Sequence, residues 1–402
     1  MITLFVIPRP GLCKRRAKGA TSMQADHRGR YALLDDMRGI AAVAVCLFHI
    51  GTRAGGLQLF PNGYLAVDFF FMLSGFVLAE AYENRLRQSM SLTAFIRRRT
   101  VRMAPVAMLG ATIGGVYLLA RWSAAPDRSD PLVEVVMADA LNLVLLPKLW
   151  HGRATGWELF PANGPLWSLF FEILANLAWA AWMTRASTRM LAGLTLLAAA
   201  ALTASALHHG SLHIGWQVPT LDGGLARISF GFGCGLLMHR LRHRIPPMKA
   251  PAAPLAALAL VYALALPEEH LAWTLFVALV FLPGILAVSV TAGRHRAMPG
   301  GALLGRLSYP LYGIHVPLLA IAAGGIKRIT GGMPLDAWGL LLLPPILMAA
   351  WLTLILFDEP LRAFLSQRPP RGFRSQAPGK GVAAGPSTLN LSGPAMGGKP
   401  PN

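Results

Sequence analysis

Residues 33–51 read LLDDMRGIAAVAVCLFHIG, a polar start with Asp35, Asp36 and Arg38 followed by an apolar run that ends at His49. About 20 mainly apolar residues form one helical membrane span, and this stretch has that length with no proline to break it. The same pattern recurs along the chain and predicts ten spans: 33–51, 64–82, 101–120, 165–184, 190–207, 222–239, 252–267, 271–291, 302–324 and 338–357. The 402 residues are 54% hydrophobic and 14% charged, which excludes a soluble globule, a disordered chain and a coiled coil. Runs this long also exclude the alternating ten-residue strands of an outer-membrane barrel. The expected fold class is therefore all-α, a polytopic membrane helical bundle of about ten transmembrane helices. The stretch 131–146 is apolar but short and carries Glu134 and Asp139, so it reads as a re-entrant or interfacial segment. Residues 1–30 read as a basic cytoplasmic tail, 31–360 as the membrane domain, and 361–402, rich in Pro, Gly and Ser, as a disordered cytoplasmic tail.

The net charge of +19 comes from 37 Lys and Arg against 18 Asp and Glu. Of those 37, 29 fall in one alternating set of loops and tails and seven in the other, with Arg227 inside a span. Cytoplasmic loops carry the excess of Lys and Arg, so both termini are expected in the cytoplasm of a multi-pass protein of the inner (plasma) membrane. Topology and attraction to membrane lipids account for the positive charge, and nucleic acid is not an expected partner. The three cysteines have no metal-ligand spacing, and no metal is expected. His208, His209 and His213 read as a solvated external loop.

Ionisable residues inside spans are costly and mark function. Arg38 and His49 lie eleven residues apart on the first span, about 16 Å along a helix axis at 1.5 Å per residue. The second span, entering from the opposite side through GYLAVDFFFMLSGFVLA, puts Asp68 at a depth comparable to His49. A neutral imidazole takes a proton from a hydroxyl, and a carboxylate orients the ring and stabilises the imidazolium. Glu172 on the fourth span fits acceptor binding, an acid role, or a helix-pairing contact with Arg227.

Five segments together resemble the acyltransferase 3 family of integral membrane O-acyltransferases. They are Arg38 and His49 with ten residues between them; GYLAVDFFFMLSG with Asp68, Ser74 and Gly75; FIRRRTVRMAPV with Arg99 and Arg102 at Arg-x-x-Arg spacing; GPLWSLFFEI with Trp167, Ser168 and Glu172; and SYPLYGIHVPLL with Tyr309, Tyr312, His315 and Pro317. The closing FDEPLR fits as well. Ile314 stands where the family often has Trp, and the chain resembles the stand-alone form without a fused esterase-like domain.

The resemblance implies transfer of an acyl group, acetyl by default, from acyl-CoA to a hydroxyl of an extracytoplasmic carbohydrate or lipid-linked acceptor. A surface or exported polysaccharide leads the candidates, and acyl-CoA serves as donor substrate, with no bound cofactor expected. His49 is expected to act as general base supported by Asp68, with Glu172 as a further catalytic candidate. Arg38, Arg99 and Arg102, at cytoplasmic span ends, are expected to grip the phosphates of coenzyme A bidentately. Tyr309, Tyr312, His315 and Arg227 are the candidates for substrate and oxyanion contacts. A covalent route through Ser74 is the weaker alternative, since a serine in a packed Leu-Ser-Gly more often permits close helix approach. The competing function is a secondary transporter with a His/Asp/Glu/Arg proton relay, although no inverted repeat supports it.

Overall fold

The computed structural model describes residues 31–246, 248, 252–267, 270–292, 300–331 and 335–366, and among them it is helical with no strand. The expected tail 1–30 and residues 367–402 lie outside the described residues. The helices are α1 Ala32–Ala54, α2 Ala66–Gln88, α3 Leu92–Ala124, α4 Leu132–Leu143, α5 Leu166–Ala181, α6 Thr188–His209, α7 Leu221–Leu241, α8 Ala252–Ala265, α9 Leu271–Thr291, α10 Gly301–Thr330 and α11 Ala337–Ser366. Each expected span coincides with one of these helices. Six of them, with α2 counted from Gly63, are long and apolar enough to cross a membrane: α2, α3, α6, α9, α10 and α11. The segment expected to be re-entrant is the 12-residue α4, which packs on α3 where Gly115 leaves room for the Asp139 carboxylate. Val133, Val136 and Met137 face outward from it. The last helix continues to Ser366, past the expected boundary at residue 361, and Arg362 there reaches Asp358 at 2.6 Å one turn back.

Local sequence sets these ends. Ser91 and Ser187 cap α3 and α6, their hydroxyls accepting from Ala94 N at 3.2 Å and Met190 N at 3.1 Å. Gly55 (φ 65°) and Gly210 (φ 71°) close α1 and α6 in the left-handed conformation that glycine adopts without strain.

Helix α1 is the central post of the bundle. Leu34, Met37, Ala41, Val45 and Phe48, spaced three and four apart, face one core with α2, α5 and α7. Ala42, Cys46 and Ile50, on the opposite stripe, face a second core with Leu311 and Ile314 of α10 and Ile346 and Ala350 of α11. Lipid tails are as apolar as leucine, so association depends on close packing at small residues. The most extensive contact joins α1 to α10, where Gly39 admits Leu304 and Gly305 admits the Asp35 backbone. Next comes α2 against α7: a β-carbon on Gly75 would run into the Phe232 carbonyl, and one on Gly235 into the Met72 carbonyl.

Candidate active site

Three clusters of polar side chains occupy the bundle at successive depths. The first lies where α1 ends. His49 faces His315 of α10, their ring centroids 5.2 Å apart and their planes inclined at 44°. Phe48 packs edge-on against His49 and beside Tyr64, and the His213 ring is tilted against Tyr64 at 4.9 Å. His213, exposed in the loop between α6 and α7, also lies against the rim of this cluster, while His209 bonds Asp222 at 3.1 Å. Glu158, in the loop beside Arg53, is pushed above the usual carboxylate range by burial, against the pull of Arg53 and Lys148.

His315 sits on a helix that two prolines shape. Pro317 has no N–H to offer the carbonyl of Gly313, and Asn163 Nδ2 donates to that carbonyl instead at 2.6 Å. His315 Nδ1 lies 2.9 Å from the Leu311 carbonyl and 3.0 Å from that of Tyr312. Both partners only accept, so Nδ1 carries the proton and Nε2 of the neutral ring is a bare acceptor. That Nε2 is buried and has no hydrogen-bond partner.

Asp68 does not meet His49. Its two oxygens take the Arg227 guanidinium bidentately, Nε at 3.0 Å and Nη2 at 2.7 Å. Arg227 also donates to the carbonyls of Ile214 at 2.8 Å and Tyr64 at 3.1 Å, and lies 5.1 Å over the Trp167 ring. Only 1% of Arg227 is exposed, so a cation here needs a full set of acceptors, and a planar fork matches a carboxylate better than a single imidazole N–H. Asp68, expected to support His49, is thus placed with Arg227, and Arg227, expected to contact substrate, is placed against acceptors of the protein itself. A signal for the pairing is present in the sequence: Arg227, Gly231 and Gly235 share one face of α7, and Asp68, Met72 and Gly75 share one face of α2. The stripes that let these helices approach also carry the two charges.

The second cluster joins α2, α3 and α5. Glu172 Oε1 accepts from Ser74 Oγ at 2.6 Å and Arg99 Nη2 at 2.8 Å. Glu172 therefore pairs with Arg99, not Arg227, and Arg99 is turned into the bundle, not left free for a phosphate. A Ser74 hydroxyl that donates to a carboxylate already neutralised by arginine is held in place and is a poor nucleophile. Tyr312 Oη lies 2.6 Å from Ser168 Oγ and 3.2 Å from the Pro165 carbonyl, and Tyr309 donates to the Met103 carbonyl. These two expected oxyanion donors are thus engaged within the protein.

The third cluster lies at the start of α1. Arg38 pairs with Asp35 and feels the charge of Arg102, which is exposed. Across the same end, Glu80 and Glu83 of α2 hold His239, Arg240 and Arg242 from the end of α7, with Arg87 closing on Glu83 at 2.6 Å. Among the described residues, no group of three His, Cys, Asp or Glu is placed to hold a metal ion.

Comparison with known proteins agrees with this helical framework. The acyltransferase 3 family model, described as an acyltransferase domain, matches residues 31–357. Protein 2 in the picA locus of Rhizobium radiobacter is 33% identical over 40% of this chain and 86% of its own length. BcsY of Komagataeibacter xylinus, named as a membrane-bound transacylase, is 26% identical over 72% of this chain and 73% of its own. The exopolysaccharide production protein ExoZ of Rhizobium meliloti is 26% identical over 72% of this chain and 86% of its own. No solved structure matches. The intramembrane charges alone also allowed transport, but a match over nearly the whole helical domain decides for acyl transfer. The chain belongs to the acyltransferase 3 family and is a multi-pass membrane enzyme that transfers acyl groups.

Proposed function

We propose that the enzyme takes an acyl group, acetyl by expectation, from cytoplasmic acyl-CoA and delivers it to a hydroxyl of a surface or exported polysaccharide, across an inner membrane that it spans ten times with both termini cytoplasmic. The name of the relative ExoZ supports a polysaccharide acceptor. The one-sided distribution of Lys and Arg supports the orientation. On this topology the Arg38 end of the bundle is cytoplasmic and the His49 end faces outward.

The observation that carries the reading is the polarity of α1: Arg38, with Arg102 beside it, at one end, and at the other His49, facing His315 and, among the described residues, paired with no carboxylate. With Arg99 committed to Glu172, Arg38 and Arg102 remain for the phosphates of coenzyme A, and a bidentate phosphate contact can replace that between Arg38 and Asp35. The pantetheine arm then extends along α1 over about 16 Å, a distance of eleven helical residues, to bring the thioester to His49. His49 takes the acceptor's hydroxyl proton as the oxygen attacks the thioester carbonyl, and it returns the proton to the departing thiolate. Asp68 serves this chemistry indirectly, through Arg227, which fixes the Tyr64 and Ile214 backbone beside His49 and His213.

The test is mass spectrometry of O-acyl esters on surface glycans from cells with wild-type enzyme, a deletion, or His49→Ala at matched membrane abundance. Loss of the same ester in both mutants is the expected result. Unchanged esters in the deletion strain would remove polysaccharide as acceptor.

A further inference from the structure

We propose that His315 is the positioning partner of His49, accepting a hydrogen bond from the His49 ring through its own Nε2, in the role expected of Asp68. The inference rests on His49 being the general base and adds the group that orients it.

Three observations converge. Asp68 is unavailable, because both its oxygens are held by Arg227. His315 Nε2 is a buried acceptor without a partner, and its acceptor character is fixed by the two carbonyls at Nδ1. Its ring centroid is 5.2 Å from that of His49. A ring nitrogen lies about 1.2 Å from its centroid, so two nitrogens turned toward each other would stand about 3 Å apart, within hydrogen-bond range. A small rotation of the His49 ring makes this contact, and hydrogen bonds of this kind tighten when substrate is bound.

The arrangement specifies the tautomer of the base. With one His49 N–H donated to His315 Nε2, the other His49 nitrogen presents its lone pair to the acceptor hydroxyl. The O–H proton passes to that nitrogen, the O–C bond forms, and the C–S bond breaks. The proton then leaves His49 for the thiolate sulfur. His315 stays neutral throughout and keeps its Nδ1 proton.

The test uses membrane vesicles holding the full chain and follows transfer of radiolabelled acetyl from acetyl-CoA into the envelope glycan fraction. His315→Phe keeps a ring but removes the acceptor, whereas His315→Gln places an amide oxygen near the Nε2 position. At equal membrane abundance, His315→Phe is expected to lower kcat about 100-fold with KM for acetyl-CoA unchanged, and His315→Gln to stay within about tenfold of wild type. Wild-type turnover in His315→Phe, or equal loss in both variants, overturns the proposal. If His315→Phe fails to accumulate, His315→Gln is compared with His315→Asn, whose shorter amide reaches only the Nδ1 position. Gln is expected to be the more active, and the reverse order overturns the proposal. His49→Ala separates the two levels. Activity in His49→Ala removes the general base itself, whereas an inactive His49→Ala beside an active His315→Phe removes His315 alone.

Discussion

His239 and His315 stand at opposite ends of the bundle, and their surroundings differ in kind. His239 has Glu80 3.2 Å from Nε2 and Glu83 3.3 Å from Nδ1, so both ring nitrogens face carboxylates. Those carboxylates also bind Arg87, Arg240 and Arg242, and Arg87 and Arg240 donate at 2.7 Å to the backbone of Thr184 and Ala186 between α5 and α6. At the Arg38 end, therefore, charge is closed on itself and ties helix ends together. At the other end, His315 spends one nitrogen on its own helix and leaves the second open, and His49 opposite it touches aromatic rings instead of acids. Ion pairs that tie helix ends together hold a fold, while two rings that face one another away from any acid are available for chemistry. Membership of an acyl-transferring family makes the open pair, not the closed network, the place to look for turnover.

The contrast breaks most decisively at His49. His49→Ala is expected to lower acyl transfer by a factor of about 10² to 10⁴ while membrane abundance and thermal stability stay as in wild type. A stability loss that accounted for the missing activity would move His49 to the structural side of the comparison.

Asp68 tests the same line from the other direction. Asp68→Asn leaves the Arg227 cation buried without its counter-charge, a change of about 3–5 kcal/mol, so the readout is loss of folded enzyme by thermal denaturation in detergent. Replacing both partners together, as Asp68→Leu with Arg227→Met, should recover much of that loss, because no charge is then stranded. A stable but inactive Asp68→Asn enzyme would instead return Asp68 to a direct part in catalysis.

Glu172 lies between the two extremes. Its carboxylate holds Ser74 and Arg99 with side-chain exposures of 16% for Glu172 and 13% for Arg99, so Glu172→Gln should cost about 1–3 kcal/mol of stability. Loss of turnover beyond what that stability change explains would identify Glu172 as a group that touches substrate.

Much of the fold was legible because a membrane span is read from length and hydropathy, which are properties of a segment taken alone. Each expected span and the short stretch that became α4 coincide with a helix. Pairing across helices was less legible, because it depends on how each helix is rotated. Asp68 and His49 were expected at one depth, but the α2 face that carries Asp68 and Gly75 packs on the glycine stripe of α7 and turns Asp68 toward Arg227. Arg99 likewise lies at a helix end in sequence, yet its long side chain reaches inward to Glu172. His315 was legible as a candidate, but its open nitrogen was not, since that follows from carbonyls one helical turn back along a proline-shaped helix.

The smallest expected effect belongs to His239, and it completes the comparison. His239→Gln removes one imidazole from a network in which Glu83 still has Arg87 and Arg240, and Glu80 still has Arg242. No carboxylate is stranded, so the cost should be about 1 kcal/mol or less, seen as a small fall in thermal midpoint with kcat and KM unchanged. The same substitution at His315 keeps an acceptor at the Nε2 position and should spare stability while changing kcat by up to about tenfold. If His239→Gln were to reduce kcat at wild-type stability, the closed end of the bundle would also take part in turnover. Glu80, Glu83 and the surrounding arginines would then belong with Arg38 and Arg102 in handling the donor's phosphates, instead of only joining α2 to α7.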